Sequence, residues 1–195
     1  MKLYYSPGAC SLASHIALEE AGADYETVRV DLGEHKTEQG EDFYAISRRG
    51  YVPALETNDG LLTENPAVLT YIADQTGTAP SGADRYRMLE WIGFTGSEVH
   101  KAFKPLFMAS RAGDAKAVED AKPEIARKLA LATELLDGRD WAVGERPTVA
   151  DNYLFVITLW AGKFDVPMPD ALKAYRARNL ARDSVQKAMK AEGLL

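Results

Sequence analysis

The sequence predicts an α/β domain at the amino end followed by an all-α domain. Short strand patterns and helix patterns alternate through residues 1–77, which we take as the first domain. A stretch of small, turn-forming residues follows, and 78–83 is the expected linker. Beyond it, over 84–195, no strand pattern recurs and the apolar residues have helical spacing.

The amino end has a β-α-β pattern. Residues 2–6, Lys-Leu-Tyr-Tyr-Ser, are aromatic-rich and stop at Pro7-Gly8, which is typical of a buried strand that enters a turn. Apolar residues then recur at spacings of three and four until Gly22, which predicts a helix of about three turns. Alternating apolar and polar residues over 26–32 predict the second strand.

A short helix, a β-hairpin and a longer helix complete the first domain. The short helix is expected around 40–46. Val52-Pro53 leads into a strand, and the Asn-Asp-Gly run predicts the turn of a hairpin. Asn65 is expected to be the N-cap of the last helix, with a proline as its first helical residue. The predicted order is β-α-β-α-β-β-α.

Five helices are predicted in the second domain. The run 84–110 is amphipathic over about seven turns and contains Pro105, which we expect to kink it. A second helix covers 114–137. A third begins after Thr148 and Asp151, which have capping-box spacing, and is apolar on nearly every face. Two further helices are expected near 169–179 and 181–192.

Composition excludes several classes of partner. The 195 residues include 23 Lys and Arg against 29 Asp and Glu, and the net charge of -6 opposes binding to nucleic acid or an anionic membrane. No stretch approaches the roughly 18 apolar residues of a membrane span. Charged residues interrupt the amino-terminal apolar stretch before a secretory signal could form, so we expect a cytoplasmic protein. One cysteine and three dispersed histidines lack metal-ligand spacing, and no metal is expected.

The one cysteine lies at a predicted strand-to-helix turn. Cys10 follows Pro7-Gly8, and the free N–H groups and positive dipole at the start of a helix favour an anion, hence a thiolate. The alternative is a small buried apolar side chain, the more common state of a single cysteine. No second cysteine is present, which excludes a dithiol cycle of the thioredoxin type. His15, on the following helix, is expected to be structural.

Several motifs in order resemble the cytosolic glutathione S-transferases, and in detail their bacterial beta class. They are MKLYYSPGACSLASHIALEE at the start, GYVPAL before the hairpin, LTEN at the third helix, EWIGFTGSEVHKAFKPLF in the fourth and ERPTVADNYLF in the sixth. The resemblance covers essentially the whole chain. It implies a thioredoxin-like first domain that binds glutathione as co-substrate, a helical domain that shapes the pocket for a small hydrophobic electrophile, and a homodimer.

The resemblance assigns Cys10, Ser11 and His100 to catalysis. Cys10 would face the glutathione sulfur, either as a hydrogen-bond donor or as partner in a mixed disulfide. Ser11 could contact the thiol or cap the first helix. His100 could donate to the sulfur or assist proton transfer, or it could be a polar residue on the solvent face. Only one of Tyr4 and Tyr5 can face the site, and Tyr5 is expected at the pocket wall or in the core.

The same resemblance places the peptide part of glutathione along Tyr51, Val52 and Pro53. A cis Val52-Pro53 bond would expose the N–H and C=O of Val52 for strand-like pairing. Glu64 and Asn65 would bind the γ-glutamyl end, with a carboxylate for its ammonium group and a helix N-terminus for its α-carboxylate. Plain helix capping is the alternative for both, and Asn65 stands where the family more usually has serine.

At the glycyl end, Lys36 is expected to bind the carboxylate because it is charged at neutral pH. His35 lies in the same loop. Arg48 or Arg49 could take part instead, since the Ser-Arg-Arg-Gly run departs from the family pattern. Gly93 is a further departure, at a position where the family often has asparagine.

The favoured function is conjugation of glutathione to an electrophile, and two alternatives stay open. One is a glutathione-dependent thiol–disulfide reductase that uses Cys10. The other is a non-catalytic interaction protein that keeps the fold. The expected pocket residues are generic apolar ones and do not select an electrophile.

Overall fold

A mixed five-stranded β-sheet organises the amino-terminal part of the computed structural model, which describes residues 1–195. The strands are β1 (Lys2–Tyr5), β2 (Glu26–Asp31), β3 (Lys36–Thr37), β4 (Ala54–Thr57) and β5 (Gly60–Thr63). Their order is β3-β2-β1-β4-β5, with β1 parallel to β2 and the other neighbours antiparallel. All four predicted strands are present. The added strand, β3, has two residues and is too short to produce an alternating pattern.

Three helices join these strands: α1 (Leu12–Ala21), α2 (Phe43–Ile46) and α3 (Asn65–Gln75). Helix α1 ends at Gly22, as predicted, with the left-handed φ of 58° that favours glycine. The start of α3 differs from the prediction, because Glu64 is its N-cap and Asn65 is already helical. The Asn65 side chain does not cap the helix because it is bonded to the α1 region.

Helices alone make up the next part of the chain: α4 (Gly82–Phe94), α5 (Lys104–Ala112), α6 (Ala115–Leu136), α7 (Val149–Lys163) and α8 (Asp170–Leu180). A π-helical segment, Thr95–His100, continues α4. The prediction of one kinked helix over 84–110 is therefore wrong. Pro105 lies in the first turn of α5, where a missing N–H costs no intrahelical bond. No helix in the structure is long and apolar enough to cross a membrane.

The last helix, α9 (Asp183–Ala191), belongs with the amino-terminal sheet. The chain forms two units, Met1–Ser81 with Leu180–Leu195, and Gly82–Asn179. This division differs from the predicted domains, which placed the final helix in the second. The apolar face of α9 explains the difference, since Val185, Ala188 and Met189 are buried and α9 packs along α1.

The two faces of the sheet bury different residues of β1. Tyr4 lies in an apolar cluster with Val30, Phe43, Val52 and Ala54. The neighbouring side chains of β1 point to the opposite face, as the alternation of a strand requires. Helix α1 covers that face and is itself buried along most of its length, because α3 and α9 pack against it.

In the second unit, α7 is buried on nearly all sides and depends on a buried carboxylate at its first turn. Asp151 accepts hydrogen bonds from the backbone N–H groups of Thr148 and Ala142, each at 2.8 Å. It also accepts one from the Tyr175 hydroxyl at 2.9 Å. Together with the Thr148 side chain, these bonds form the capping box that the sequence predicted.

Replacing Asp151 by alanine is expected to lower the free energy of unfolding by about 3 kcal/mol or more, because the four buried donors bonded to its carboxylate lose their acceptor. Urea denaturation followed by circular dichroism measures the change. Asp120, on the exposed surface of α6, gives the matched control, and Asp120→Ala should change stability by less than about 0.5 kcal/mol. Equal effects of the two substitutions would contradict the assigned role of Asp151.

Candidate active site

A tight turn carries the chain from β1 into α1. The Ala9 N–H donates to the Ser6 carbonyl at 3.0 Å, and Gly8 has a φ of 69°. Proline at the second position and glycine with positive φ at the third are the pattern of a type II turn. The fully buried Ser11 hydroxyl accepts from the Ser6 N–H at 3.2 Å and donates to the Ser6 carbonyl at 3.4 Å. Ser11 thus closes the turn and makes no side-chain cap for α1.

Cys10 leaves this turn with its side chain directed at the loop before β4. Its Sγ donates to the Val52 carbonyl oxygen at 3.3 Å. The Val52-Pro53 bond is cis, as the family resemblance implied. The backbone carbonyl of Cys10 accepts a 2.9 Å hydrogen bond from Asn65 Nδ2. Cys10, Val52 and Asn65, which come from three separate segments, therefore meet at one place.

The protonation state of Cys10 differs from the sequence-based expectation. Burial in the protein raises the pKa of the thiol to about 12, and the negative charge of Glu64 acts in the same direction. The backbone N–H groups of Cys10 and Ser11 lower the pKa, but their effect is smaller than that of burial. The expectation of a favoured thiolate is therefore wrong for this structure. Cys10 is a neutral thiol near pH 7 and can act as a hydrogen-bond donor.

The start of α3 lies beside Cys10. The buried Asn65 amide is bonded on both sides, since Nδ2 donates to Cys10 and Oδ1 accepts from Ser14 Oγ at 3.2 Å. Glu64 has a φ of 71°, and its exposed carboxylate accepts a hydrogen bond from Arg49. The first turn of a helix also leaves N–H groups without intrahelical acceptors. This corner therefore offers a carboxylate and a helix N-terminus, while the Asn65 side chain holds α3 to α1.

The other predicted binding residues of this unit are more dispersed. Lys36 is exposed in β3, and Tyr51 is 69% exposed in the loop before Val52. His35 is half-buried with a φ of 52°, its ring lies 4.4 Å from that of Tyr44, and its Nδ1 has no hydrogen-bond partner. No hydrogen bond joins Lys36 or Tyr51 to Cys10.

Tyr4 and Tyr5 lie on opposite faces of the sheet. The Tyr4 hydroxyl donates to Glu56 at 3.2 Å. Tyr5 is buried against α1, with its ring 5.6 Å from that of His15, and burial raises its pKa. Tyr5 is thus a protonated side chain packed against a helix, one of the two placements expected from the sequence.

His100 lies in the second unit, at the end of the π-helical segment. Its Nδ1 and the Tyr153 hydroxyl are 2.7 Å apart, and its ring is edge-on to Trp160 with centroids 4.9 Å apart. Phe103 and Phe107 extend this aromatic cluster around Trp160. The alternative of a polar residue on the solvent face is therefore wrong. π-Helical turns are frequent at functional sites, and apolar periodicity gives no signal for them.

Sequence reasoning missed one residue that is bonded to the turn before Cys10. The Glu192 carboxylate accepts a 2.9 Å hydrogen bond from the Gly8 N–H across 184 positions of sequence. A contact between such distant positions leaves no local pattern. No group of three or more His, Cys, Asp and Glu side chains is arranged to hold a metal ion.

Cys10 is expected to remain protonated to about pH 10 or higher. It is the only cysteine, so intact-mass measurement of alkylation by iodoacetamide reports on it alone. The rate should still be rising at about pH 10. Since the folded protein retains this proton above the unfolded thiol pKa of about 8.5, stability should fall as pH rises past that value. Cys10→Ala should remove this pH dependence of stability. An alkylation rate that levels off below about pH 8 would contradict the raised pKa of Cys10.

Comparison with known proteins agrees with this architecture. Family models described as the N-terminal and C-terminal domains of glutathione S-transferase match residues 1–74 and 95–183. Glutathione S-transferase GstA of Escherichia coli O157:H7 is 41% identical, with both chains covered in full.

Two solved structures align over the full length of both chains. A sphingomonad glutathione S-transferase complexed with glutathione is 49% identical with a TM-score of 0.90. The bacterial beta class glutathione S-transferase of Sphingomonas chungbukensis is 43% identical, also with a TM-score of 0.90. The sheet order, the helical second unit and these full-length matches agree: the chain belongs to the glutathione S-transferase family.

Proposed function

We propose that the protein is a glutathione transferase that joins the thiol of reduced glutathione to small hydrophobic electrophiles. The observation that carries the proposal is the contact of the neutral Cys10 thiol with the Val52 carbonyl. It places a hydrogen-bond donor at a backbone edge that an extended peptide can pair with. The full-length relatives named glutathione S-transferases, one of them solved with glutathione, support the same reading.

Binding of glutathione would change the partner of the Cys10 thiol. In the structure, the Val52 carbonyl accepts a hydrogen bond from Cys10 Sγ. The cysteinyl N–H of an extended tripeptide can donate to the same carbonyl and replace Cys10 there. Cys10 would then be released to donate to the glutathione sulfur. A neutral thiol suits this role because a thiolate has no proton to donate. The raised pKa of Cys10 therefore favours a hydrogen-bonding role over nucleophilic attack by its own sulfur.

The two charged ends of glutathione have candidate partners in the first unit. We assign the γ-glutamyl ammonium group to the Glu64 carboxylate and the α-carboxylate to the N-terminal N–H groups of α3. Arg49 pairs with Glu64 in the structure, so the ammonium group would compete with Arg49 or share the carboxylate with it. The exposed Lys36 remains the proposed partner of the glycyl carboxylate, with Tyr51 beside the peptide.

In the conjugation step, the glutathione thiolate forms a sulfur–carbon bond with the electrophile and the leaving group departs with the electron pair. Donation from Cys10 and the N–H groups at the start of α1 would lower the pKa of the bound thiol and raise its thiolate fraction. His100, oriented by the Tyr153 hydroxyl, remains the proposed group for proton transfer. Ser11 would act by holding the turn, because its hydroxyl is bonded to Ser6.

The alternatives receive less support. A reductase that uses Cys10 needs a thiolate to attack a disulfide, and the pKa of about 12 leaves very little thiolate at neutral pH. The full-length relatives are named as transferases, which favours an enzyme over a non-catalytic interaction protein. The homodimer and the cytoplasmic location stay predictions.

The proposal is tested by calorimetric titration with glutathione and by conjugation of glutathione to 1-chloro-2,4-dinitrobenzene. Cys10→Ala is expected to lower kcat/KM about tenfold without abolishing conjugation, because one hydrogen bond to the thiolate is lost. Cys10→Ser retains a donor and should lose less. Absence of glutathione binding by the unaltered protein would overturn the proposal. Complete loss of conjugation in Cys10→Ala would instead assign Cys10 a covalent role.

A further inference from the structure

The carboxylate of Glu192 lies in the interior of the first unit, against the turn that precedes Cys10. Its side chain is fully buried. Oε2 accepts the Gly8 N–H at 2.9 Å, and Oε1 lies 2.9 Å from His15 Nδ1. A buried carboxylate is costly unless its oxygens have polar partners, and here Oε2 has the Gly8 N–H and Oε1 has the His15 ring nitrogen. Glu192, the residue that follows α9, is therefore bonded both to the turn and to α1.

Other contacts fix α9 along α1 at both ends. Arg182, the N-cap of α9, forms an ion pair of 2.5 Å with Glu20 near the end of α1. After Glu192, Gly193 has a φ of 70° and turns the chain back. This turn brings Leu194 over Gly8, where a Cβ added to the glycine would lie 3.5 Å from Leu194 Cδ2. The contact with the turn is thus part of a packed arrangement.

The geometry of the turn explains why it uses an acceptor from outside. In a type II turn the N–H of the fourth residue closes the turn, and here Ala9 donates to Ser6. The N–H of the third residue, Gly8, points away from that bond and donates to Glu192. Cys10 is two residues further on, and its carbonyl is held by Asn65. Glu192 and Asn65 therefore hold the chain on the two sides of Ala9, at Gly8 and at Cys10.

We propose that Glu192 is a positioning residue for Cys10. By accepting the Gly8 N–H and bonding His15, its carboxylate holds the turn at 6–9 and the start of α1, and through them the Cys10 thiol, in the place that receives the glutathione sulfur. That glutathione binds at Cys10 rests on the proposed function, whereas the positioning of Cys10 by Glu192 does not. Helix α9 and Glu192 then contribute to the position of Cys10 as well as to the stability of the first unit.

A purely stabilising role for α9 gives different expectations. In that case, any substitution that weakens the packing of α9 on α1 would change the alkylation rate of Cys10 in proportion to the loss of stability. Val185 provides the matched comparison, because it is fully buried on α9 and makes no hydrogen bond to the turn through its side chain. Val185→Ala weakens packing and leaves the Glu192 carboxylate in place.

The test compares Glu192→Leu, Glu192→Gln and Val185→Ala by the rate of Cys10 alkylation at one pH, measured by intact mass. Leucine removes the carboxylate but fills the space. Alkylation should become about tenfold faster, because the turn loses its one charge-assisted hydrogen bond to Glu192. Glutamine can still accept the Gly8 N–H if His15 accepts from its amide, so its rate should stay within about threefold of the unaltered protein. Val185→Ala should also leave the rate within about threefold.

Steady-state kinetics extend the comparison to glutathione. Glu192→Leu should raise the KM for glutathione about tenfold, and Glu192→Gln should restore most of the loss. An unchanged alkylation rate in Glu192→Leu would overturn the proposal. The proposal would also be overturned if Val185→Ala and Glu192→Leu lost equal stability and accelerated Cys10 alkylation equally.

One measurement needs no variant and covers the case in which Glu192→Leu does not fold. Hydrogen exchange of the Gly8 amide in the unaltered protein should be at least about 100-fold slower than in an unstructured peptide. Exchange at the unprotected rate would overturn the proposal. Alkylation and amide exchange need no glutathione. If the protein failed to bind glutathione, the proposed function would fall while these two measurements still decided the role of Glu192.

Discussion

The turn between β1 and α1 is the constraint on which the rest of the site depends. Three distant segments are bonded to it or to the cysteine that follows it, through the Val52 carbonyl, the Asn65 amide and the Glu192 carboxylate. The turn also has bonds of its own, from Ala9 and Ser11 to Ser6, and the remote partners connect it to the rest of the unit. Contacts from the loop before β4, from α3 and from the residue after α9 thus meet around the Cys10 thiol.

Burial and hydrogen bonding give that thiol its chemical character. The start of α1 supplies backbone donors that favour an anion, but removal from water and the Glu64 charge outweigh them and raise the pKa of Cys10. A neutral thiol is a poor nucleophile and a usable donor. This combination suits a residue that assists another sulfur. It also explains how a site with a single cysteine can serve conjugation.

Local patterns in the sequence predict most of the elements, and the differences arise where distant residues decide the outcome. Alternation and helical spacing identify four strands and most helices, and Thr148 with Asp151 correctly predicts a buried cap. The π-helical segment has no recognisable sequence pattern, and Pro105, which predicts a kink within one helix, instead lies in the first turn of α5. Asn65 could not be distinguished from an N-cap because its partners, Cys10 and Ser14, are more than 50 positions away in sequence. The pKa of Cys10 depends on burial, which spacing does not give.

We propose that Cys10 donates a hydrogen bond to the glutathione sulfur and forms no disulfide with it. A crystal structure of the protein with reduced glutathione measures this most directly. We expect the glutathione sulfur at about 3.3–3.8 Å from Cys10 Sγ, with the Val52 carbonyl paired to the cysteinyl N–H of glutathione. A sulfur–sulfur distance of about 2.05 Å, the length of a disulfide, would contradict it. So would a Cys10 thiol that still donates to Val52 while glutathione is bound elsewhere.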